Sequence, residues 1–161
     1  AYRRQRQMCI RDSIMAVDDL RKLSLPVYAG ADEEGLLGDT SLNLSASFGH
    51  SFTTRADHYV KDGEMFSLLG KTWKVIATPG HTSGSVCYLI DDEDVLFSGD
   101  TLFAESLGRT DFPTGSSSQI VASITEKLFP LRDDIMVYPG HGEPTTIGHE
   151  KQYNPVAAYR R

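Results

Sequence analysis

Cysteine is nearly absent from this 161-residue sequence: Cys9 and Cys87 are too few for a disulfide scaffold, and no secretory leader with an apolar centre is visible. A reducing cytoplasm is therefore the expected location, with Cys87 free and inert. No apolar run approaches the about 20 residues that span a bilayer, so no membrane partner is expected. Basic charge is scarce outside the ends. Residues 14–159 carry 10 basic against 21 acidic side chains, and such a body repels phosphate backbones, which excludes nucleic acid as a partner.

The remaining arginines cluster at the termini, as Arg3, Arg4, Arg6, Arg11, Arg160 and Arg161, and Asp12 is the one acidic residue beside them. Ala-Tyr-Arg-Arg occurs at both 1–4 and 158–161. Residues 1–13 and 158–161 are accordingly read as foreign sequence lying outside the fold. Hydrophobic residues at 40% and charged residues at 24% exclude intrinsic disorder, and the length predicts a single core.

Punctuation between those ends predicts an α/β domain. Ile14, Val17, Leu20 and Leu23 fall near helical spacing, Pro26–Ala29 reads as a short strand, and Asp32–Leu37 as a short helix ending near Gly38. Thr40–Asp57 lacks a clean period and reads as a long surface excursion. Strands are predicted at Glu64–Leu69, Thr72–Thr78, Ser85–Ile90, Val95–Ser98 and Ile135–Tyr138, and helices at Ser116–Leu128 and Thr145–Tyr153. Trp73 and the stripe Ile120, Ile124 and Leu128 read as core.

Three loops follow predicted strands: Thr78-Pro-Gly-His-Thr82, Ser98-Gly-Asp-Thr101 and Tyr138-Pro-Gly-His-Gly142. In each, glycine or proline turns the chain sharply and the next side chain can bind a metal, namely His81, Asp100 or His141. Imidazole nitrogen and carboxylate oxygen suit zinc, and also iron or manganese, and one carboxylate has two oxygens with which to bridge two cations. A histidine after Pro-Gly is alone more often a turn residue than a ligand; the recurrence is what carries the reading. His50, His58 and His149 have no partner at ligand spacing and read as surface or supporting residues. Arg109 and Asp111 follow closely enough on Asp100 to orient ligands through a charged pair, or to clamp their own loop.

Thr78-Pro-Gly-His-Thr-Ser-Gly-Ser85, Phe97-Ser-Gly-Asp-Thr-Leu-Phe103 and Tyr138-Pro-Gly-His-Gly142, in this order, resemble the later metal motifs of the metallo-β-lactamase superfamily, most closely its small glyoxalase II-like, hydroxyacylglutathione hydrolase-like members. Gly108-Arg-Thr-Asp-Phe-Pro-Thr-Gly115 and Thr145–Pro155 extend the likeness. The resemblance implies an αββα sandwich of which residues 14–157 form the C-terminal part, incomplete because the first strands are lacking. It also implies two zinc ions, with His81 on the first, His141 on the second and Asp100 between them. A metal-bound hydroxide would then attack a small-molecule thioester.

The family's His-x-His-x-Asp-His motif aligns with Met8, Ile10, Asp12 and Ser13, so only Asp12 matches. A catalytic zinc needs about three protein ligands, and the shortfall implies an impaired fragment. Arg109, Asp111 and Thr82 are expected beside the metals or the substrate. Two alternatives stand: a persulfide dioxygenase-like iron protein, which Gly108-Arg-Thr-Asp-Phe112 also resembles, and a non-catalytic remnant of the fold.

Overall fold

Alternating apolar and polar residues between Met65 and Gly99 produce a run of antiparallel strands, seen in a computed structural model that describes residues 14, 16–49 and 51–159. Strand β1 (Tyr28–Gly30) pairs with β2 (His58–Val60). β3 (Met65–Leu68), β4 (Lys71–Ala77), β5 (Val86–Ile90) and β6 (Val95–Gly99) form a meander. β7 (Leu102–Phe103) and β8 (Ser106–Leu107) make a small hairpin. β9 (Met136–Pro139) then lies parallel to β6, and β10 (Thr145–Thr146) closes a six-stranded sheet in the order β10-β9-β6-β5-β4-β3.

A parallel neighbour needs a crossover, and the helical segment between β8 and β9 supplies it. Helix α1 spans Val17–Arg21, α2 Glu34–Gly38, α3 Ser117–Ala122 and α4 Ile147–Tyr153. Ser116 caps α3 by accepting from the Gln119 N–H, and Thr146 caps α4 by accepting from the His149 N–H. From Ser123 to Leu128 the helix continues as a π turn, with the Phe129 N–H bonded to the Ile124 carbonyl at 2.9 Å. Ile120, Ile124, Leu128 and Phe129 are all fully buried, each worth about 1.5–3 kcal/mol against exposure.

They pack on one face of the sheet, against Ile76, Cys87, Leu89, Leu96 and Val137. The described residues divide into two compact units, one of those up to Ala29 with those in Glu34–Tyr59, the other of Gly30–Glu33 with those from Val60 onward. This core lies wholly in the second unit.

Several expectations need correction. The first helix is shorter than Ile14–Leu23, because Leu20 and Leu23 are exposed and give that stripe nothing to pack on. Asp32–Leu37 is a 3₁₀ turn at Ala31–Glu33 followed by α2, and Thr145 belongs to a strand rather than to the last helix. The 40–57 excursion is partly internal: Asn43 and Ser45 are buried, bonded to the Phe52 carbonyl at 2.9 and 3.1 Å. Trp73 lies outside the core. It is half-buried on the opposite face of the sheet, in an aromatic row where its ring stacks 5.6 Å from Phe97 and Phe97 stacks 5.8 Å from Tyr138. The 1–13 segment lies outside the described residues. No helix among the described residues is long and apolar enough to cross a membrane.

Candidate metal centre

Strands β4, β6 and β9 run in the same direction, so their C-terminal ends, and the three singled-out loops, share one edge of the sheet. Short bonds tie the loops together. The Gly140 N–H donates to the Gly99 carbonyl at 2.8 Å, and the Thr78 and Thr101 hydroxyls lie 3.0 Å apart in a fully buried pair. Cys87 sits beneath, its sulfur 3.4 Å from the Thr78 hydroxyl. Burial pushes its thiol up to about 11, so it stays protonated and unreactive at neutral pH, as expected of a buried thiol.

At that edge the structure brings His81, Asp100 and His141 together. His81 Nε2 lies 3.6 Å from Asp100 Oδ2, and His141 Nε2 lies 3.7 Å from Asp100 Oδ1. One carboxylate thus faces two imidazoles, one on each oxygen. Glycines permit the approach: a Cβ on Gly108 would overlap the Asp100 carbonyl oxygen, and one on Gly140 would come 2.5 Å from Asp100 Oδ1. Asp100 is well enclosed, with 14% of its side chain exposed.

His81 is the more firmly held imidazole. Its Nδ1 is 2.8 Å from the Arg109 carbonyl oxygen, which accepts only from a protonated ring nitrogen, so Nε2 is the ring nitrogen turned toward Asp100. Phe112 meets the His81 ring edge-on at 5.0 Å. The Arg109 side chain turns away and bonds both oxygens of Asp111, at 2.6 and 2.5 Å, while its guanidinium lies 4.7 Å over Phe112. That ion pair holds the Asp111 carboxyl down to about 2. Arg109 and Asp111 pair with one another, and the Arg109 backbone carbonyl meets His81. His141 has a different setting, with 36% of its side chain exposed and the Phe103 ring tilted against it at 4.4 Å.

Phe103 and Phe112 fall within the quoted motifs without a site role, since nothing in their spacing marks them apart from core phenylalanines. Thr82 follows His81 and bonds the Ser85 hydroxyl at 2.7 Å. His58 stacks on Tyr28 at 4.7 Å and His149 pairs with Glu105 at 3.0 Å, both away from the three loops in their bonding. Asp12 and His50 lie outside the described residues.

The donor types and spacings suit divalent cations. Separations of 3.6 and 3.7 Å exceed a hydrogen bond yet fall short of the about 4.2 Å reach of a zinc–nitrogen plus a zinc–oxygen bond. The donor number is short. Among the described residues no group of three or more His, Cys, Asp or Glu side chains meets the geometry of a metal site. Each position beside Asp100 has one imidazole and one carboxylate oxygen, against the about three protein ligands of a catalytic zinc.

Comparison with known proteins agrees with this topology. The family model of the metallo-beta-lactamase superfamily matches residues 17–141. A hydroxyacylglutathione hydrolase, GloC of Haemophilus influenzae, is 44% identical over 95 residues, covering 59% of this chain and 45% of GloC. The crystal structure of the B3 metallo-beta-lactamase BLEG-1 superposes with a TM-score of 0.82 at 42% identity, over 88% of this chain and 70% of that one. TTHA1623, in a di-iron-bound form, gives a TM-score of 0.74 at 32% identity, over 87% of this chain and 69% of that one. The chain spans about half the length of the first curated relatives that it matches. With its α/β fold, its three metal-type loops on one sheet edge and a family match over most of its described length, this chain belongs to the metallo-beta-lactamase superfamily.

Proposed function

We propose that the chain carries the C-terminal metal loops of a glyoxalase II-type hydrolase acting on a small-molecule thioester. The observation that carries this reading is the pair of imidazole Nε2 atoms flanking the two oxygens of one enclosed carboxylate. His81 and Asp100 would hold one cation, and His141 and Asp100 the other, with Asp12 as a further donor to the second. Bound zinc, or iron or manganese, would acidify a water and polarise an acyl carbonyl.

The chain's own groups do the positioning. The Arg109 carbonyl fixes the His81 tautomer, Phe112 and Phe103 limit the swing of the two rings, and the Gly140 N–H keeps the His141 loop on the Asp100 loop. Asp111 neutralises Arg109 locally and stiffens the 109–112 turn against His81. A thiolate leaving group has a pKa near 8.5 and needs little help from a general acid, so no paired carboxylates are required. With two donors on the first cation and at most three on the second, against about three protein ligands for each catalytic metal, the chain by itself should bind metal weakly and turn over little or not at all.

The test compares the chain with a longer form carrying a complete His-x-His-x-Asp-His segment, measuring metal content and hydrolysis of an acylglutathione. Two zinc equivalents and clear thioester hydrolysis in the longer form, lost in the chain alone, support the proposal. A single iron with oxygen-dependent persulfide oxidation would favour the alternative that the Gly108–Phe112 loop suggests. Metal and activity absent from both would leave a non-catalytic fold.

A further inference from the structure

Outside the three loops, one carboxylate reaches into the first of them. Glu33, at the end of the 3₁₀ turn Ala31–Glu33, is half-buried, and its Oε1 accepts from two donors of the His81 loop. One is the Thr82 hydroxyl and the other the Gly84 N–H, at 3.0 Å. Both donors lie within three residues of His81.

The junction is too close for side chains. A Cβ on Gly84 would overlap the backbone nitrogen of Glu33, and one on Gly30 would overlap the Gly84 carbonyl oxygen. The loop is also braced internally: the Thr82 N–H donates to the Ser85 hydroxyl at 3.0 Å, and the Gly80 N–H to the Thr82 carbonyl at 2.9 Å. His81 therefore sits at the apex of a turn held from one side by the Arg109 carbonyl and from the other by Glu33.

We infer that Glu33 is a positioning residue for the candidate metal centre, whose carboxylate sets the direction of the His81 ring by clamping Thr82 and Gly84. The inference rests on the reading of His81 as a ligand. A charged acceptor holding two donors on one oxygen is stronger than a neutral one, and its hold reaches His81 through the backbone of the ligand's own turn.

Glu33→Ala and Glu33→Gln variants of this chain test it through NMR of the metal-free protein, following the His81 ring nitrogens and the exchange of the Gly84 amide. Glu33→Ala should shift the His81 ring resonances and speed Gly84 exchange by about tenfold. Glu33→Gln keeps an acceptor oxygen and should restore most of both. Should Glu33→Ala fail to fold, Glu33→Asp, which draws the carboxylate back by one methylene and leaves the Thr82–Ser85 bond in place, must move the same signals. Unchanged His81 resonances and Gly84 exchange, with only a lower melting temperature, would overturn the inference. Titration of Zn²⁺ alone then separates the two claims. A wild-type His81 ring that ignores zinc counts against the metal reading, whereas the metal-free signals judge Glu33 by themselves.

Discussion

The two histidines facing Asp100 are matched in sequence context but not in surroundings. Each follows Pro-Gly at the end of a strand, and each approaches one oxygen of the same carboxylate. Around His81 the chain converges: the Arg109 carbonyl takes Nδ1, Phe112 covers an edge, and Asp62 anchors the end of the preceding strand by accepting the Ala77 N–H at 2.7 Å. Lys127 adds bonds to Asp62 at 3.0 Å and to the Ala77 carbonyl at 2.8 Å. His141 is held by its backbone and a tilted Phe103 ring, and a third of its side chain meets solvent. One half of the centre is pre-organised by the fold, and the other relies more on what binds it. The cation beside His81 should therefore be bound first.

The sharpest break in that asymmetry is expected at the glycines. Gly108→Ala places a methyl group onto the Asp100 backbone carbonyl, which no rotamer can relieve, and should cost about 3 kcal/mol in chemical denaturation. Next comes His81→Ala. It removes the part-buried bond to the Arg109 carbonyl and empties the buried place of the ring, and should cost about 2 kcal/mol, whereas His141→Ala should stay within about 0.5 kcal/mol of wild type. Equal costs at the two positions would contradict the comparison.

Gly140→Ala meets a side-chain oxygen instead of backbone, so Asp100 can swing aside. Its stability loss should be about 1 kcal/mol, with the effect appearing chiefly as weaker zinc binding at both positions. The smallest effect is electrostatic. Burial raises the Asp62 carboxyl, but the Ala77 N–H and the Lys127 ammonium outweigh it and hold the group below its usual value. A lowered carboxyl stabilises the fold above its unfolded pKa of about 3.9, and that contribution fades as pH falls through the lowered value. Asp62→Asn should flatten this acid limb while leaving neutral stability within about 1 kcal/mol, because the pair is exposed.

The metal-type loops were legible because turn chemistry and ligand chemistry are written in the same few letters: Pro-Gly-His twice and Gly-Asp once, each after a β-rich segment. The sheet followed from alternation, and the sheet-facing stripe of Ile120, Ile124 and Leu128 from its helical spacing. Other features left no such mark. A carbonyl such as that of Arg109 has no residue identity, so its bond to His81 could not be read from side-chain types. Glu33 acts on Thr82 across 49 positions, a pairing that only the folded chain reveals. Trp73 misled for a physical reason: large aromatics stabilise a half-covered sheet face as readily as a core, and its indole N–H finds the Leu68 carbonyl at 3.0 Å there.

The candidate centre stands on one carboxylate that serves two imidazoles. Zinc titration of the chain, followed through the ring nitrogens of His81 and His141 together in wild type and Asp100→Ala, tests it most directly. Both rings should respond in the wild type, His81 at lower zinc, and the single substitution should abolish both responses. Rings that bind zinc independently of Asp100, or that respond equally with and without it, would contradict it.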